Sequence, residues 1–269
     1  MNKLVSWLIL FVFSLVGVIW LQWPSDDVVA TVCDVGQGDG LVISRGFSQM
    51  VIDVGLDNGQ MNDCLGKTIP FWDRNLEVVV ITHADNDHMG GLSRLLEAYQ
   101  VGKILTTQAT EQKMRGIVGS RGEIVSSWQG QRLSFGDITG EVLWPKRISN
   151  IQLPISNKIE DTNRESLVLR LEIQGKSLWL AGDADTFVEE QLIENNLVKK
   201  TDYLKVGHHG SRTSTSEPFL AILKPNQVWV SVGKNNNYRL PSPEVIKRFE
   251  HAGLTILRTD QMGTFTVHF

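Results

Sequence analysis

Apolar residues fall along this chain in three different patterns. From Leu4 to Trp23 the run LVSWLILFVFSLVGVIWLQW contains no charge and leaves no polar face, which predicts a helix surrounded by apolar material on all sides. Twenty residues at 1.5 Å per residue reach roughly 30 Å, the thickness of a bilayer core. Trp7 lies near one end, and Trp20 and Trp23 lie at the other, where interfacial anchors occur; Pro24-Ser25-Asp26-Asp27 then stops the run. A cleaved signal peptide is the rival reading, with Val28-Val29-Ala30 as a loose cleavage site. The length of the apolar run and its tryptophans favour an uncleaved single anchor. Lys3 before the run and Asp26-Asp27 after it point to an N-terminus inside the cytoplasm and the rest outside. Residues 1–27 are therefore expected to form a membrane anchor (the span itself being 4–23), and 28–269 a folded domain.

The second pattern is short and β-rich. Val28–Val35, Leu41–Ser44 and Met50–Val54 are separated by glycine turns, and Glu77–Thr82 (EVVVIT) is a continuous apolar strand of the kind covered on both faces. Further strands are predicted at Leu167–Ile173, Ser177–Ala181, Tyr203–Val206, Gln227–Val232, Thr255–Leu257 and Thr264–His268. The third pattern has helical spacing, at Leu92–Tyr99, Thr186–Asn195 and Pro243–His251. Segments 108–132 and 145–165 are polar and weakly patterned, and are expected to be loops. No repeat of 20–50 residues is evident. Two β-rich halves with interspersed helices predict an α/β architecture of packed sheets with helices outside.

Composition changes this picture in two places. At 42% hydrophobic and 21% charged over 269 residues the chain is globular, and its net charge of −4 argues against a generally basic nucleic-acid coat protein. Charge is uneven, however. Residues 199–258 hold ten Lys/Arg against four Asp/Glu, a net of +6 that leaves −10 for the remainder. Such a segment is either an ordinary solvated surface or a basic flank for an anionic ligand. The two cysteines, Cys33 and Cys64, are too few for a four-thiolate zinc site. They either pair, which a location outside the cytoplasm would permit, or remain two buried thiols.

Chemistry concentrates at three strand ends. After the apolar strand comes Thr82-His83-Ala84-Asp85-Asn86-Asp87-His88-Met89-Gly90-Gly91, with four metal-ligand side chains within six positions. A strand end fixes the backbone, while a loop lets His83, Asp85, Asp87 and His88 converge. A second apolar strand runs into Gly182-Asp183-Ala184-Asp185, where Asp183 either caps the helix that follows or offers a carboxylate able to bridge two cations. A third ends in Gly207-His208-His209-Gly210-Ser211. His251 and His268 lack such surroundings and are read as structural.

The His-x-Asp-x-Asp-His run, the later Gly-Asp and the His-His-Gly-Ser together resemble the metallo-β-lactamase fold hydrolases. Asp34-Val35-Gly36-Gln37-Gly38-Asp39, the VIDVG strand with Asp53, LKVGHHGSRTSTS from Leu204 and VGKNNNYRLPSPEVI from Val232 narrow the likeness to the C-terminal hydrolase domain of ComEC-type DNA-uptake proteins. The resemblance covers roughly residues 28–269. It implies an αββα sandwich with a binuclear centre at one edge. His83 and Asp85 would hold one cation and Asp87 and His88 the other, with Asp183 bridging. His208 or His209 would complete the second site, and the other histidine would face the scissile group. Asp87, His208 and His209 are the implied catalytic residues; Asp39, Lys205, Ser211 and Asn163 are the candidates for contact with substrate.

This chain departs from the wider family twice. Asp85 stands where that family has histidine, a change shared with the ComEC-like branch. No histidine occurs between His88 and His208, and Asp161-Thr162-Asn163-Arg164-Glu165-Ser166 stands where one is expected, with Asn163 or Glu165 as the substitute. A channel protein's many membrane helices are also missing, so the chain is expected to be a stand-alone relative or a split tail.

Three carboxylates with two or three imidazoles and no thiolate make a hard donor set, suited to two divalent ions, Mn²⁺ or Zn²⁺. The expected activity is two-metal hydrolysis of a phosphodiester, with DNA as substrate, in a single-pass protein of the cytoplasmic membrane whose hydrolase domain lies on the outer, periplasmic side, and with a separate DNA-uptake channel as a possible partner. Hydrolysis of another ester, a lactone or a small phosphodiester is the first alternative. A non-catalytic DNA- or channel-binding domain is the second.

Overall fold

The computed structural model describes residues 3–147 and 162–269. Helix α1 (Lys3–Leu21) buries none of its residues and is long and apolar enough to cross a membrane. The first sheet follows with β1 (Val29–Val32), β2 (Gly40–Arg45) and β3 (Ser48–Val54), an antiparallel meander. Helix α2 (Gln60–Thr68) then crosses to β4 (Asn75–Val80), which runs parallel to β3. The short α3 (Asn86–Met89), α4 (Leu92–Ala98), β5 (Gln100–Thr106), α5 (Gln108–Val118) and β6 (Glu123–Ser126) complete that half, with β4, β5 and β6 all parallel.

The second half opens with an antiparallel run of β7 (Arg132–Phe135), β8 (Ile138–Trp144), β9 (Val168–Ile173) and β10 (Lys176–Leu180). Helix α6 (Thr186–Glu194) leads to β11 (Tyr203–Lys205), α7 (Glu217–Leu223) to β12 (Gln227–Val230), and α8 (Pro243–His251) to β13 (Thr255–Arg258), all parallel to β10. After α9 (Thr259–Met262) the last strand, β14 (Phe265–His268), returns to the first sheet and pairs antiparallel with β1. The sheet orders are β14-β1-β2-β3-β4-β5-β6 and β13-β12-β11-β10-β9-β8-β7.

Burial follows the strand period of two. On the EVVVIT strand, Val78 and Val80 face the core between the sheets, with Ile43, Leu169, Leu178 and Trp229, whereas Val79 and Ile81 face a second core with Leu65, Leu92, Leu95 and Met114 from the helices outside. A third core lies outside the other sheet, where Trp179, Leu204 and Val228 meet Val188, Phe219 and Phe249. Helix, sheet, sheet and helix thus make the four layers of the expected αββα sandwich. Cys33 and Cys64 are joined in a disulfide that ties the end of β1 to α2.

The expectation that 108–132 is a loop is corrected: it contains α5 and β6. Helix α5 buries only Thr110, Met114 and Val118, and Thr107 caps it by accepting a hydrogen bond from the Thr110 N–H. So narrow a stripe leaves little apolar signal. Strand β6 is the edge of its sheet and only half-buried, which also dilutes alternation. In the other segment expected to be a loop, 162–165 form a 3₁₀ turn, and residues 148–161 lie outside the described residues.

Candidate metal centre

Every chemistry-bearing segment leaves its strand at the same edge of the sandwich. Strands β3, β4, β10, β11 and β12 run parallel towards that edge, so Asp53, the loop of His83–His88, Asp183, His208–His209 and Ser231 emerge together. The Asp34–Asp39 loop closes the floor, with the Asp39 N–H bonded to the Asp87 carbonyl at 3.1 Å. Gly38 makes that approach possible: a Cβ there would stand 2.2 Å from the Asp87 oxygen. Gly91 does the same behind the site, where a Cβ would fall 2.4 Å from the Val54 carbonyl.

Asp183 is the hub. Its carboxylate lies 3.1 Å from Nε2 of His88, 3.9 Å from Nε2 of His83, 3.9 Å from Nε2 of His209 and 3.8 Å from Nε2 of His208. Asp85 Oδ2 stands 3.5 Å from His83 Nε2, and Asp87 Oδ2 3.2 Å from His209 Nε2. The structure therefore brings together all seven of the expected ligand residues. His209 is buried on the Asp87 side, whereas His208, 29% exposed, faces the cleft mouth with its Nδ1 3.5 Å from the Asn163 amide nitrogen. Both histidines have left-handed backbones, φ 46° and 53°, as does Asp53 at φ 58°. Such conformations cost roughly 1–3 kcal/mol each in a non-glycine residue and cluster where function requires them.

The imidazoles are held from behind. His88 Nδ1 lies 2.8 Å from Asp53 Oδ2, so its Nε2 is turned to the hub, and Asp53 also accepts from the Thr82 N–H and hydroxyl, each at 2.8 Å. His209 Nδ1 lies 3.0 Å from the Ser231 carbonyl and 3.1 Å from Asp39. Thr162 donates to Asp85 at 2.7 Å, and the Ser166 hydroxyl accepts from the Asp183 N–H at 3.0 Å. Asp53, Thr82, Thr162, Ser166 and Ser231 were not among the residues the sequence marked as site residues. Asp53 alone carried a signal, as a carboxylate in the otherwise apolar MVIDV strand.

Asp39 and Lys205 are placed differently from expectation. Both are buried, and the Lys205 ammonium lies 2.6 Å from Asp39 Oδ2, inside the protein rather than at the cleft mouth. Ligand atoms, one each from Asp39, His88, Asp183 and His209, lie within 4.8 Å of one another, close enough to enclose one ion. The His209 ring nevertheless stands between Asp39 and Asp87, and Lys205 already neutralises Asp39, so Asp39 reads as a support for His209. Ser211, half-exposed next to the histidines, and Asn163 remain at the mouth.

The donor set fits divalent cations. His83 Nε2, His88 Nε2 and Asp183 Oδ1 are buried without hydrogen-bond partners, although they converge. Lone pairs aimed at one another are stable only with a cation or a proton between them. Without a cation, protons serve. Burial opposes charge on His88, but Asp183 and Asp53 outweigh it and raise its pKa well above the usual value. His209 is pushed up to about 10 in the same way, burial being outweighed by Asp183 and Asp39. The neighbouring His83 imidazole, 3.5 Å away, lowers Asp85 to about 2, and the imidazoles overcome burial to hold Asp183 far below its ordinary range.

The basic segment does not line the cleft as a block. Lys205 is buried; Arg248 bonds the carbonyls of Ser214 and Thr215; Arg258 pairs with Asp260 at 2.6 Å. Lys199, Lys200 and Lys224 precede strands and so lie at the far end. Arg212, Lys234 and Arg239 lie in the loops on the site side, the last two in a loop tied to Gly210 through the Ser242 N–H.

The sequence profile of the Metallo-beta-lactamase superfamily matches residues 34–152. ComE operon protein 3 of Bacillus subtilis is 30% identical over 259 residues, covering 88% of this chain and 32% of that protein. Competence protein ComA of Neisseria gonorrhoeae is 30% identical over 243 residues, 89% of this chain and 32% of that protein. The chain thus spans about a third of the length of these curated relatives. Among solved structures, the metallo-beta-lactamase fold protein YhfI of Bacillus subtilis superposes with a TM-score of 0.64 at 12% identity, over 90% of this chain and 100% of that one.

Proposed function

This chain has the metallo-β-lactamase fold and resembles ComEC-type competence proteins over most of its length, and on that premise we propose that it is a membrane-anchored phosphodiesterase that cleaves DNA. The observation that carries the reading is the convergence of four imidazoles on the single buried carboxylate of Asp183, flanked by Asp85 and Asp87.

In this reading His83, Asp85 and Asp183 would hold one divalent cation, and Asp87, His88, His209 and Asp183 the other; the mixed oxygen and nitrogen donors suit Mn²⁺ or Zn²⁺. Such ions supply an activated water and neutralise charge developing on a phosphodiester. Asp53 and Asp39 keep His88 and His209 turned inward. His208, exposed at the mouth, is placed to hold a phosphate oxygen or to donate a proton to the leaving oxygen. Ser211 and Asn163 line the same mouth, and Arg212, Lys234 and Arg239 supply positive charge for a phosphate backbone.

Helix α1 anchors the protein in the cytoplasmic membrane with the domain on the outer side. Lys3, on the near side of the span, supports that orientation, and so does the disulfide, which persists in oxidising compartments. The likeness to competence proteins supports a role in DNA uptake.

The test is the full-length protein in detergent, incubated with single- and double-stranded DNA and Mn²⁺, Zn²⁺ or Mg²⁺. Cleavage that disappears in Asp87→Ala is the expected result. Equal cleavage by both proteins, or none by either with any ion, refutes the nuclease reading. Turnover of small esters without DNA cleavage would assign the site to another hydrolysis.

A further inference from the structure

The end of the sandwich opposite the metal centre carries an aromatic cluster that no catalytic step uses. The β2–β3 turn presents Phe47, 43% exposed, and the segment before β4 presents Phe71, 51% exposed, stacked edge-on against Trp72 at 4.9 Å. Trp23, beyond the end of α1, meets Phe47 edge-on with ring centroids 5.4 Å apart. An exposed pair of phenylalanines beside tryptophans is unusual on a surface facing water and common where a protein meets the lipid headgroups.

The anchor is fastened to this same end. Gln22 Oε1 accepts from the Phe71 N–H at 3.2 Å, the Ser25 carbonyl accepts from the Gly46 N–H at 2.9 Å, and the Asp26 carbonyl accepts from Arg45 Nε at 3.1 Å. These bonds tie the segment that follows α1 to both aromatic loops, so the membrane-length helix does not end in a free linker. Exposed Lys67, at the end of α2, stands beside the same segment.

We infer that this end of the domain rests on the bilayer, with Trp23, Phe47, Phe71 and Trp72 at headgroup level and the metal cleft opening away from the membrane. The inference rests on the proposed anchoring of α1. Topology sets the geometry: β3 starts beside Phe47 and ends at Asp53, and β4 starts after Trp72 and ends at the His83 loop. Seven residues of strand span roughly 20 Å, so with the strands upright the centre stands about that far from the headgroups. DNA would therefore meet the cleft from the aqueous side, without entering the lipid layer.

The experiment uses the full chain in vesicles of phosphatidylethanolamine and phosphatidylglycerol. With Cys33 and Cys64 paired, a single added cysteine is the only free thiol, and it is labelled with an environment-sensitive fluorophore. Phe47→Cys and Phe71→Cys are compared with Leu10→Cys in the helix and Tyr238→Cys in the loop on the site side. Brominated lipid is expected to quench the labels at 47, 71 and 10, and aqueous iodide to reach them several-fold less than the label at 238. If 10 is shielded while 47 and 71 are as open to iodide as 238, the resting surface is wrong and the anchor stands. If 10 is also open to iodide, the anchor fails and this inference fails with it.

Discussion

The buried ammonium of Lys205 lies 2.6 Å from the Asp39 carboxylate, whose other oxygen lies 3.1 Å from Nδ1 of His209. The three groups form a chain from the interior to the candidate metal centre. Removing one partner of a buried ion pair leaves an uncompensated charge and costs about 3–5 kcal/mol. Lys205→Met is therefore expected to lower Tm by roughly 10 °C, measured by thermal denaturation. Lys205→Met combined with Asp39→Leu should lose less than the single variant, because no charge is then left unpaired.

Asp53 acts through His88. Asp53→Asn keeps the size of the side chain but weakens the hold on Nδ1, and loss of such a support typically costs 10–100-fold in metal affinity. Calorimetric titration with Mn²⁺ or Zn²⁺ should show that loss, while circular dichroism shows the fold retained. Unchanged affinity would mean that the His88 ring is held by packing alone.

Cation binding should release protons. His88 and His209 carry raised pKa values, the latter about 10, whereas Asp85, Asp87 and Asp183 are lowered and stay ionised at neutral pH. A cation at Nε2 must displace a proton below those values, so apparent affinity rises with pH between 6 and 9. Each released proton contributes up to about tenfold per pH unit. Titrations in buffers of differing ionisation enthalpy would count the protons, with one or two expected.

Glu189, on α6, carries a separate pH dependence. Burial pushes its pKa from 4.5 up to about 7, although it accepts bonds from the N–H groups of Thr215 and Ser216. The folded state thus binds this proton more tightly than the unfolded chain. The resulting stability is fully present below about pH 4.5 and is lost as pH rises through about 7, a span of about 3 kcal/mol. Glu189→Gln should remove this slope. Denaturant midpoints of both proteins between pH 4.5 and 8 would reveal it as a difference that levels off above pH 7.

The Cys33–Cys64 bond closes a separation of 31 residues. Chain entropy assigns such a loop about 3–4 kcal/mol. Reduction, or replacement of both cysteines by serine, should lower the denaturation midpoint accordingly.

Much of this architecture was legible because it is written in strong local patterns. EVVVIT announces a strand covered on both faces, Pro243–His251 shows helical spacing, and the His83–His88 loop declares its chemistry in six residues. Elements with weak contrast were not legible. Helix α5 offers only Met114 and Val118 as buried apolar residues, and β6 is a half-buried edge. Within the site, the ligand types were readable, but the choice between His208 and His209 was not. It depends on two successive left-handed residues that turn one imidazole inward and leave the other at the mouth. The inward turn of Lys205 was equally hidden, since its partner Asp39 lies 166 positions away.

The pairing of β1 with β14 places Val29 opposite His268, so the domain's two chain ends leave side by side. A unit with adjacent ends behaves as a cassette: it can be inserted into a polypeptide without rerouting any strand through the cleft. The matched segment covers nearly nine-tenths of this chain and about a third of each of these curated relatives. For an engineer, the same adjacency marks the new termini of a circular permutant: Val29 and His268 can be joined by a short linker, and the chain reopened at an exposed turn elsewhere.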